Sequence, residues 1–244
     1  LCITEEGAKF APEADRYHLF VAYACPWAHR ALVARALKGL EDTLSVTVVH
    51  PIWQKTRPGE DDHKGWIFGN PQWEFFANAD GRGGPFPASF DGNDPDPFYN
   101  SKNVREYYER AGDTEGKYSV PILWDKKLKT IVSNESSEII RMLSSQFNDF
   151  AKNPDLELYP EELRESIDAV NEWVYPYLNN GVYRCGFAQS QQAYDTAITE
   201  LTEAFDKVDV ILQKQRYLAG DTFTEADIRL FVTLLRFDEG KLLM

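Results

Sequence analysis

Residues 17–24, YHLFVAYA, form a short, nearly all-apolar run free of glycine and proline, which predicts a buried β-strand. From Trp27 the period changes. Leu32, Val33, Ala36, Leu37 and Leu40 recur at helical spacing, and Arg30, Arg35 and Lys38 are assigned mostly to the opposite, solvent side. Residues 44–50, LSVTVVH, predict a second strand, so residues 17–50 read as a right-handed βαβ unit. Residues 51–97 then break the pattern with seven prolines, many glycines and aspartates, and Trp53, Trp66 and Trp73. A loop of that length is usually functional or partly disordered, and its aromatics predict that part of it packs. Regularity returns with a helix near Ser101–Arg110, then short strands at 118–125 and 127–133 joined by an Asp-Lys-Lys turn. A helix over 134–147 follows, with Ser133 or Asn134 as its N-cap.

Beyond this point the pattern is helical. Residues 148–160, polar and with two prolines, predict a linker between an α/β domain (1–147) and a helical domain (161–244). Leu163, Ile167, Val170, Trp173 and Tyr177 line one face of a first helix. Tyr194, Ile198, Leu201, Phe205, Val208 and Leu212 line a second. A third opens at TEADIRLFVTLLRF, with Thr224 and Asp227 placed to cap its start.

Charge and composition narrow the function classes. A formal net charge of −13 argues against a nucleic-acid surface and against adhesion to anionic membranes. There is no apolar stretch long enough to span a bilayer. The first residues lack the basic and long apolar regions of a signal peptide. Three unevenly spaced cysteines make no disulfide framework and point to a reducing, cytoplasmic compartment. Four histidines without a close Cys/His cluster argue against a metal site.

Cys25 is the candidate for chemistry. Pro26 suits the first turn of a helix, because its missing N–H had no intrahelical partner anyway. That places Cys25 at or just before a helix N-terminus, where free N–H groups and the helix dipole favour a thiolate. A free cysteine is often only a small buried hydrophobe, which is the reading for Cys2 and Cys185. The strand–Cys–Pro–helix context favours a reactive Cys25. The fourth position of Cys25-Pro26-Trp27-Ala28 is alanine, so the site has one thiol, and a small soluble thiol is the simplest resolving partner.

The chain resembles the cysteine-bearing glutathione transferases, and most closely their Xi class, the glutathionyl-hydroquinone reductases. The resemblance rests on ACPWAHR (24–30), GW (65–66), VPILWDKK (120–127), IVSNESSEIIRM (131–142), NNGVYRCGFAQSQQAYD (179–195) and YLAGDTFTEADIRLFVTLLRFDE (217–239). It implies an α/β thioredoxin-like N-terminal domain followed by an all-α glutathione-transferase C-terminal domain. By the same resemblance, Val120-Pro121 would be a cis peptide pairing with the cysteinyl part of glutathione. Glu135 and Ser136 would hold its γ-glutamyl end, the carboxylate taking the α-ammonium and the hydroxyl with helix-terminal amides taking the α-carboxylate. Trp66 would lie over glutathione, and Tyr183 would face the second substrate. Residues 71–97 look like an insertion relative to shorter members. Members of the class continue past RFDE with further helices, so 161–244 is expected to hold only part of the helical domain.

The activity implied is glutathione-dependent reduction of glutathionyl-hydroquinones through a Cys25–glutathione mixed disulfide. Glutathione would be co-substrate, aromatic glutathione conjugates the partners, and a homodimer the assembly. An omega-type thioltransferase or dehydroascorbate reductase would use the same Cys25. A non-catalytic glutathione-binding protein stands as a third, different reading.

Overall fold

The computed structural model describes residues 9–70, 72, 74–113 and 115–241; Cys2 and Trp73 lie outside the described residues. The chain divides into two compact units, Leu1–Asp155 and Leu156–Met244.

The first unit begins with β1 (Tyr17–Val21), α1 (Pro26–Lys38) and β2 (Ser45–Val48). Every residue of β1 is buried, and it pairs in parallel with β2 from His18↔Ser45 to Val21↔Val48. β1 ends earlier than the apolar run, because Tyr23 and Ala24 are exposed and the Cys25 N–H turns back to the Ala22 carbonyl at 3.0 Å. α1 closes on Gly39 at φ +66°, with the Gly39 and Leu40 amides returning to Ala36 and Arg35, a Schellman ending.

Residues 51–97 hold two minimal ladders, β3 (Gln54–Lys55) with β4 (Lys64–Gly65), and β5 (Phe75–Phe76) with β6 (Phe86–Pro87). The segment is fastened to the sheet edge. The His50 amide donates to the Ile67 carbonyl at 2.8 Å, and Asn93 Nδ2 donates to the Val48 carbonyl at 2.9 Å. A Cβ at Gly69 would come within 2.7 Å of the Asn93 carbonyl oxygen, so that close approach needs glycine.

α2 (Arg105–Arg110), β7 (Ile122–Asp125), β8 (Thr130–Ser133) and α3 (Ser136–Ser145) complete the unit. α2 starts later than its sequence pattern suggests. The Asp96 carboxylate accepts the amides of Phe98, Tyr99 and Ser101 and holds that stretch out of a helix. β7 begins later than the strand expected from residue 118, after Pro121, which has no N–H for a ladder. The sheet order is β2-β1-β7-β8, with β7 antiparallel to both neighbours. An aromatic cluster joins β1, α2 and β7: Phe20 to Tyr107 at 4.3 Å and Tyr107 to Trp124 at 4.8 Å between centroids.

α1 packs against α3, and its buried face differs from the expected one. Ala28, Ala31 and Ala34 are buried together with Arg30 and Lys38, whereas Leu32, Val33 and Leu37 are only half-buried and Ala36 is exposed. Small residues permit close approach, and both cations find polar partners inside. Arg30 donates to Ser136 Oγ, while Lys38 Nζ donates to Asn148 Oδ1 at 2.7 Å and the Pro154 carbonyl at 2.9 Å. The Asn153 amide returns to the Lys38 carbonyl, so residues 148–154 lie strapped to the end of α1.

The second unit runs through α4 (Arg164–Trp173), a π-helical turn (Val174–Asn179), α5 (Asn180–Gly186), α6 (Gln191–Leu212) and α7 (Glu225–Lys241). The π turn contains Pro176, which cannot donate to an α ladder. Val174 and Leu178 are buried there and Tyr177 is exposed. On α6 the buried stripe is Ala197, Leu201, Ala204 and Val208, leaving Tyr194 and Leu212 exposed. At α7, the Thr224 amide donates to Asp227 Oδ2 at 2.9 Å and the Asp227 amide to the Thr224 carbonyl at 3.1 Å. Among the described residues, no helix is long and apolar enough to cross a membrane.

His18 gives this fold an acid-sensitive joint between β1 and β2. Its ring nitrogens meet Ser45 Oγ at 2.7 Å and Thr47 Oγ1 at 3.0 Å. Burial first, and then Lys126, push its pKa down to about 3 against the opposing pull of Asp96. The native ring therefore stays neutral where the unfolded chain, with an ordinary histidine near 6.5, takes up a proton. Stability should fall as pH drops from about 6.5 towards 3, by about 2 kcal/mol between pH 7 and 5. Denaturant unfolding of wild type and His18→Gln across that range should show a flatter slope for the variant; parallel slopes would clear His18 of the effect.

Candidate active site

Cys25 is the N-cap residue of α1, in extended conformation (φ −86°, ψ 114°), with Pro26 opening the helix. β1 delivers it, and the turn closed on Ala22 aims it at the start of α1. Its carbonyl accepts the His29 amide at 3.0 Å. The thiol is buried at 8% exposure, and its Sγ donates to the Val120 carbonyl at 3.5 Å. That hydrogen bond exists only for the protonated thiol. Val120-Pro121 is a cis peptide, and both residues are buried. The third position after Cys25 is filled by Ala28, which is fully buried and offers no second thiol.

The loop from β8 into α3 carries the next pair. Glu135, not Ser133 or Asn134, is the N-cap of α3. Ser133 instead supports it from outside. Its hydroxyl accepts the Glu135 amide at 3.0 Å and donates to Glu138 Oε2 at 2.8 Å. Asn134 Nδ2 is engaged with the Tyr108 hydroxyl at 3.1 Å. The Glu135 side chain is exposed. Ser136, the first residue of α3, is buried, and its Oγ accepts from Arg30 at 3.3 Å. Cys25 and Val120 are thus in direct contact, and Ser136 is tied to the same helix as Cys25 through Arg30.

Trp66 is half-buried in the long segment, packed edge-to-face against Trp53 at 5.4 Å, with its carbonyl accepting the Val104 amide. Tyr183 belongs to the helical unit. It is half-buried on α5, its ring parallel to that of Phe187 at 6.2 Å. Cys185, on the same helix, has its thiol pKa pushed up by burial, partly offset by Arg184. Among the described residues, no three histidine, cysteine or acidic side chains are grouped to hold a metal.

Arg30, like Lys38, is buried where the sequence pattern assigns it to the other side. Arginine is usually exposed, and its helical position was read accordingly. A signal was present: it flanks the Ala28, Ala31, Ala34 stripe, and small residues mark a helix face in close contact.

Residues 24–146 match the profile of the glutathione S-transferase N-terminal domain, and residues 191–239 that of the C-terminal domain. The chain belongs to the glutathione S-transferase family. Among curated relatives, "Glutathione S-transferase omega-like 2" of Schizosaccharomyces pombe is 40% identical, covering 97% of this chain and 69% of that one. "Glutathionyl-hydroquinone reductase YqjG" of Escherichia coli is 43% identical, covering 97% and 66%. The chain therefore spans about two thirds of the length of these relatives. Among solved structures, glutathione transferase Xi 1 from Trametes versicolor superposes with a TM-score of 0.84 at 47% identity, over 98% of this chain and 74% of that one. The glutathione-bound structure of YqjG gives 0.80 at 43% identity, over 94% and 66%. The α/β first unit and helical second unit are those of the Xi-class fold.

Proposed function

We propose that this chain carries the machinery of a glutathionyl-hydroquinone reductase. Glutathione is the co-substrate, and Cys25 is the nucleophile. The observation that carries the reading is a lone thiol at the N-cap of α1, 3.5 Å from the carbonyl of Val120 beside the cis Pro121. The names of two relatives, the reductases of Escherichia coli and Sphingobium chlorophenolicum, support the substrate class.

In this mechanism the Cys25 thiolate attacks the sulfur of the conjugate. The bond between sulfur and the aryl carbon breaks, and its electron pair leaves with the ring. Carbon is a poor leaving atom, so the ring first takes up a proton at that carbon and becomes ketone-like; departure then yields the hydroquinone. Cys25 remains as a mixed disulfide with glutathione. A second glutathione thiolate attacks it, releasing oxidised glutathione and restoring Cys25. The balance is one conjugate plus one glutathione to one hydroquinone plus one glutathione disulfide. Val120 pairs with the cysteinyl backbone, Glu135 with the α-ammonium, Ser136 and the α3 amides with the α-carboxylate, and Trp66 covers the tripeptide. Tyr183 supplies the phenol that protonates or stabilises the ring oxygen.

The omega-like names of the yeast relatives keep a second reading alive, in which the same Cys25 reduces mixed disulfides. Tyr183 separates the two. A disulfide releases a thiolate, which needs no phenol. Tyr183→Phe should slow turnover of glutathionyl-menadiol by about 10²-fold, in the range of acid–base assistance, with disulfide reduction little changed. Equal slowing on both substrates would count against that role.

Cys25→Ser should abolish turnover of both substrates. Incubation of wild type with oxidised glutathione, followed by digestion and mass spectrometry, should place the adduct on Cys25. An adduct confined to Cys2 or Cys185 would refute the assignment. Glu135→Ala should weaken glutathione binding by about one to two decades, the loss expected for a hydrogen bond to a charged group, with the fold intact by circular dichroism. Unchanged affinity in calorimetry would remove Glu135 from the site.

A further inference from the structure

Arg30 is only 2% exposed, although nothing in the reaction as written uses it. It sits on the second turn of α1, the helix capped by Cys25, and reaches across to α3. There its NH1 donates to Ser136 Oγ at 3.3 Å. The guanidinium lies over the Trp27 ring, 4.3 Å from its centroid, within reach of a cation–π contact. A cation buried this deeply is costly unless its surroundings use it.

We propose that Arg30 is a positioning residue for the anionic end of glutathione, acting through Ser136. The proposal rests on the glutathione reading above. A serine hydroxyl has one proton and two lone pairs. With one lone pair taken by the guanidinium, the hydroxyl proton turns away from Arg30 and is available to an incoming acceptor. Ser136 is also the first residue of α3, where the free helix amides favour an anion. The buried charge adds to that field, in surroundings that screen it weakly. Both cost their desolvation during folding, so the γ-glutamyl α-carboxylate meets donors already set. Arg30 thereby discriminates for a ligand bearing a carboxylate at that end.

The test compares two ligands: glutathione, and 4-aminobutyryl-cysteinylglycine, which is glutathione without its α-carboxylate. Calorimetry on wild type should show glutathione binding the more tightly. Arg30→Gln should weaken glutathione about tenfold and the decarboxylated tripeptide less than about twofold. Arg30→Lys, which keeps the charge, should recover part of the preference. Equal weakening of both ligands, or of neither, would overturn the proposal, since a residue that merely held α1 to α3 would not distinguish them. If Arg30→Gln does not fold, Arg30→Lys alone decides by the same comparison. In that case a selective loss for glutathione supports positioning, and an equal loss or none rejects it. Wild type that binds neither tripeptide overturns the glutathione reading, and this inference with it.

Discussion

Asp125 has no exposed surface, yet its carboxylate is saturated. Oδ2 accepts Arg16 Nε at 3.0 Å and NH2 at 2.6 Å, and Oδ1 accepts the amides of Lys127 and Leu128 at 2.8 and 3.0 Å. Arg16 itself is spread further, over the carbonyls of Lys9 and Ala11. The pair locks the entry of β1 against the exit of β7, and with it the register Tyr17↔Asp125 to Phe20↔Ile122. Because the strands are antiparallel, the end of β1 and the start of β7 lie at the same edge. That edge is where Cys25 leaves one strand and Val120-Pro121 enters the other. A slip of one residue would move every side chain of β1, buried on both faces, to the opposite side of the sheet and break its packing there. The contact between sulfur and carbonyl is thus a consequence of an ion pair at the opposite end of the ladder. Breaking one partner of such a buried pair typically costs about 3–5 kcal/mol.

α1 converts that register into a site. Its alanine stripe brings the helix close to α3, and the space left by small side chains admits two long cationic ones. Arg30 uses it near the N-terminal end and Lys38 at the C-terminal end. A leucine-rich face would have filled that space with apolar side chains. It would have placed no charge beside Ser136 and offered no donor to the strap of residues 148–154.

Much of this was legible in the chain itself. β1, α1 and the position of Cys25 followed from an apolar run, a change of period and a proline in the first helical turn. The reciprocal bonds of Thr224 and Asp227 at α7 were visible as a spacing. What could not be read has physical causes. Arg30 and Lys38 were assigned to solvent because their burial depends on partners more than 100 residues away, Ser136 and Asn148. Glu135 took the cap position from Ser133 and Asn134 because those side chains are engaged elsewhere, with Glu138 and with Tyr108. Tyr177 left the buried face at the π turn around Pro176, and a fixed helical period has no means of anticipating a wider turn. The ladders within 51–97 have two-residue strands, too short to show any alternation. The cis Val120-Pro121 peptide and the roles proposed for Trp66 and Tyr183 entered only through family resemblance.

The strap at the end of α1 also sets a mechanical route through the first unit. Asn148 and Pro154 hold Lys38 Nζ, the Asn153 amide holds the Lys38 carbonyl, and Asn153 Nδ2 holds the Leu37 carbonyl. These bonds converge on one helical turn, so tension applied to the chain beyond residue 155 is shared among them before it reaches any strand. Gly39 makes that seat possible. A Cβ there would stand 2.6 Å from the Lys152 Cβ, at a φ that side chains rarely adopt. The chain at residue 155 is therefore anchored on the helix that carries Cys25 at its other end, and on no strand of the sheet, through these bonds.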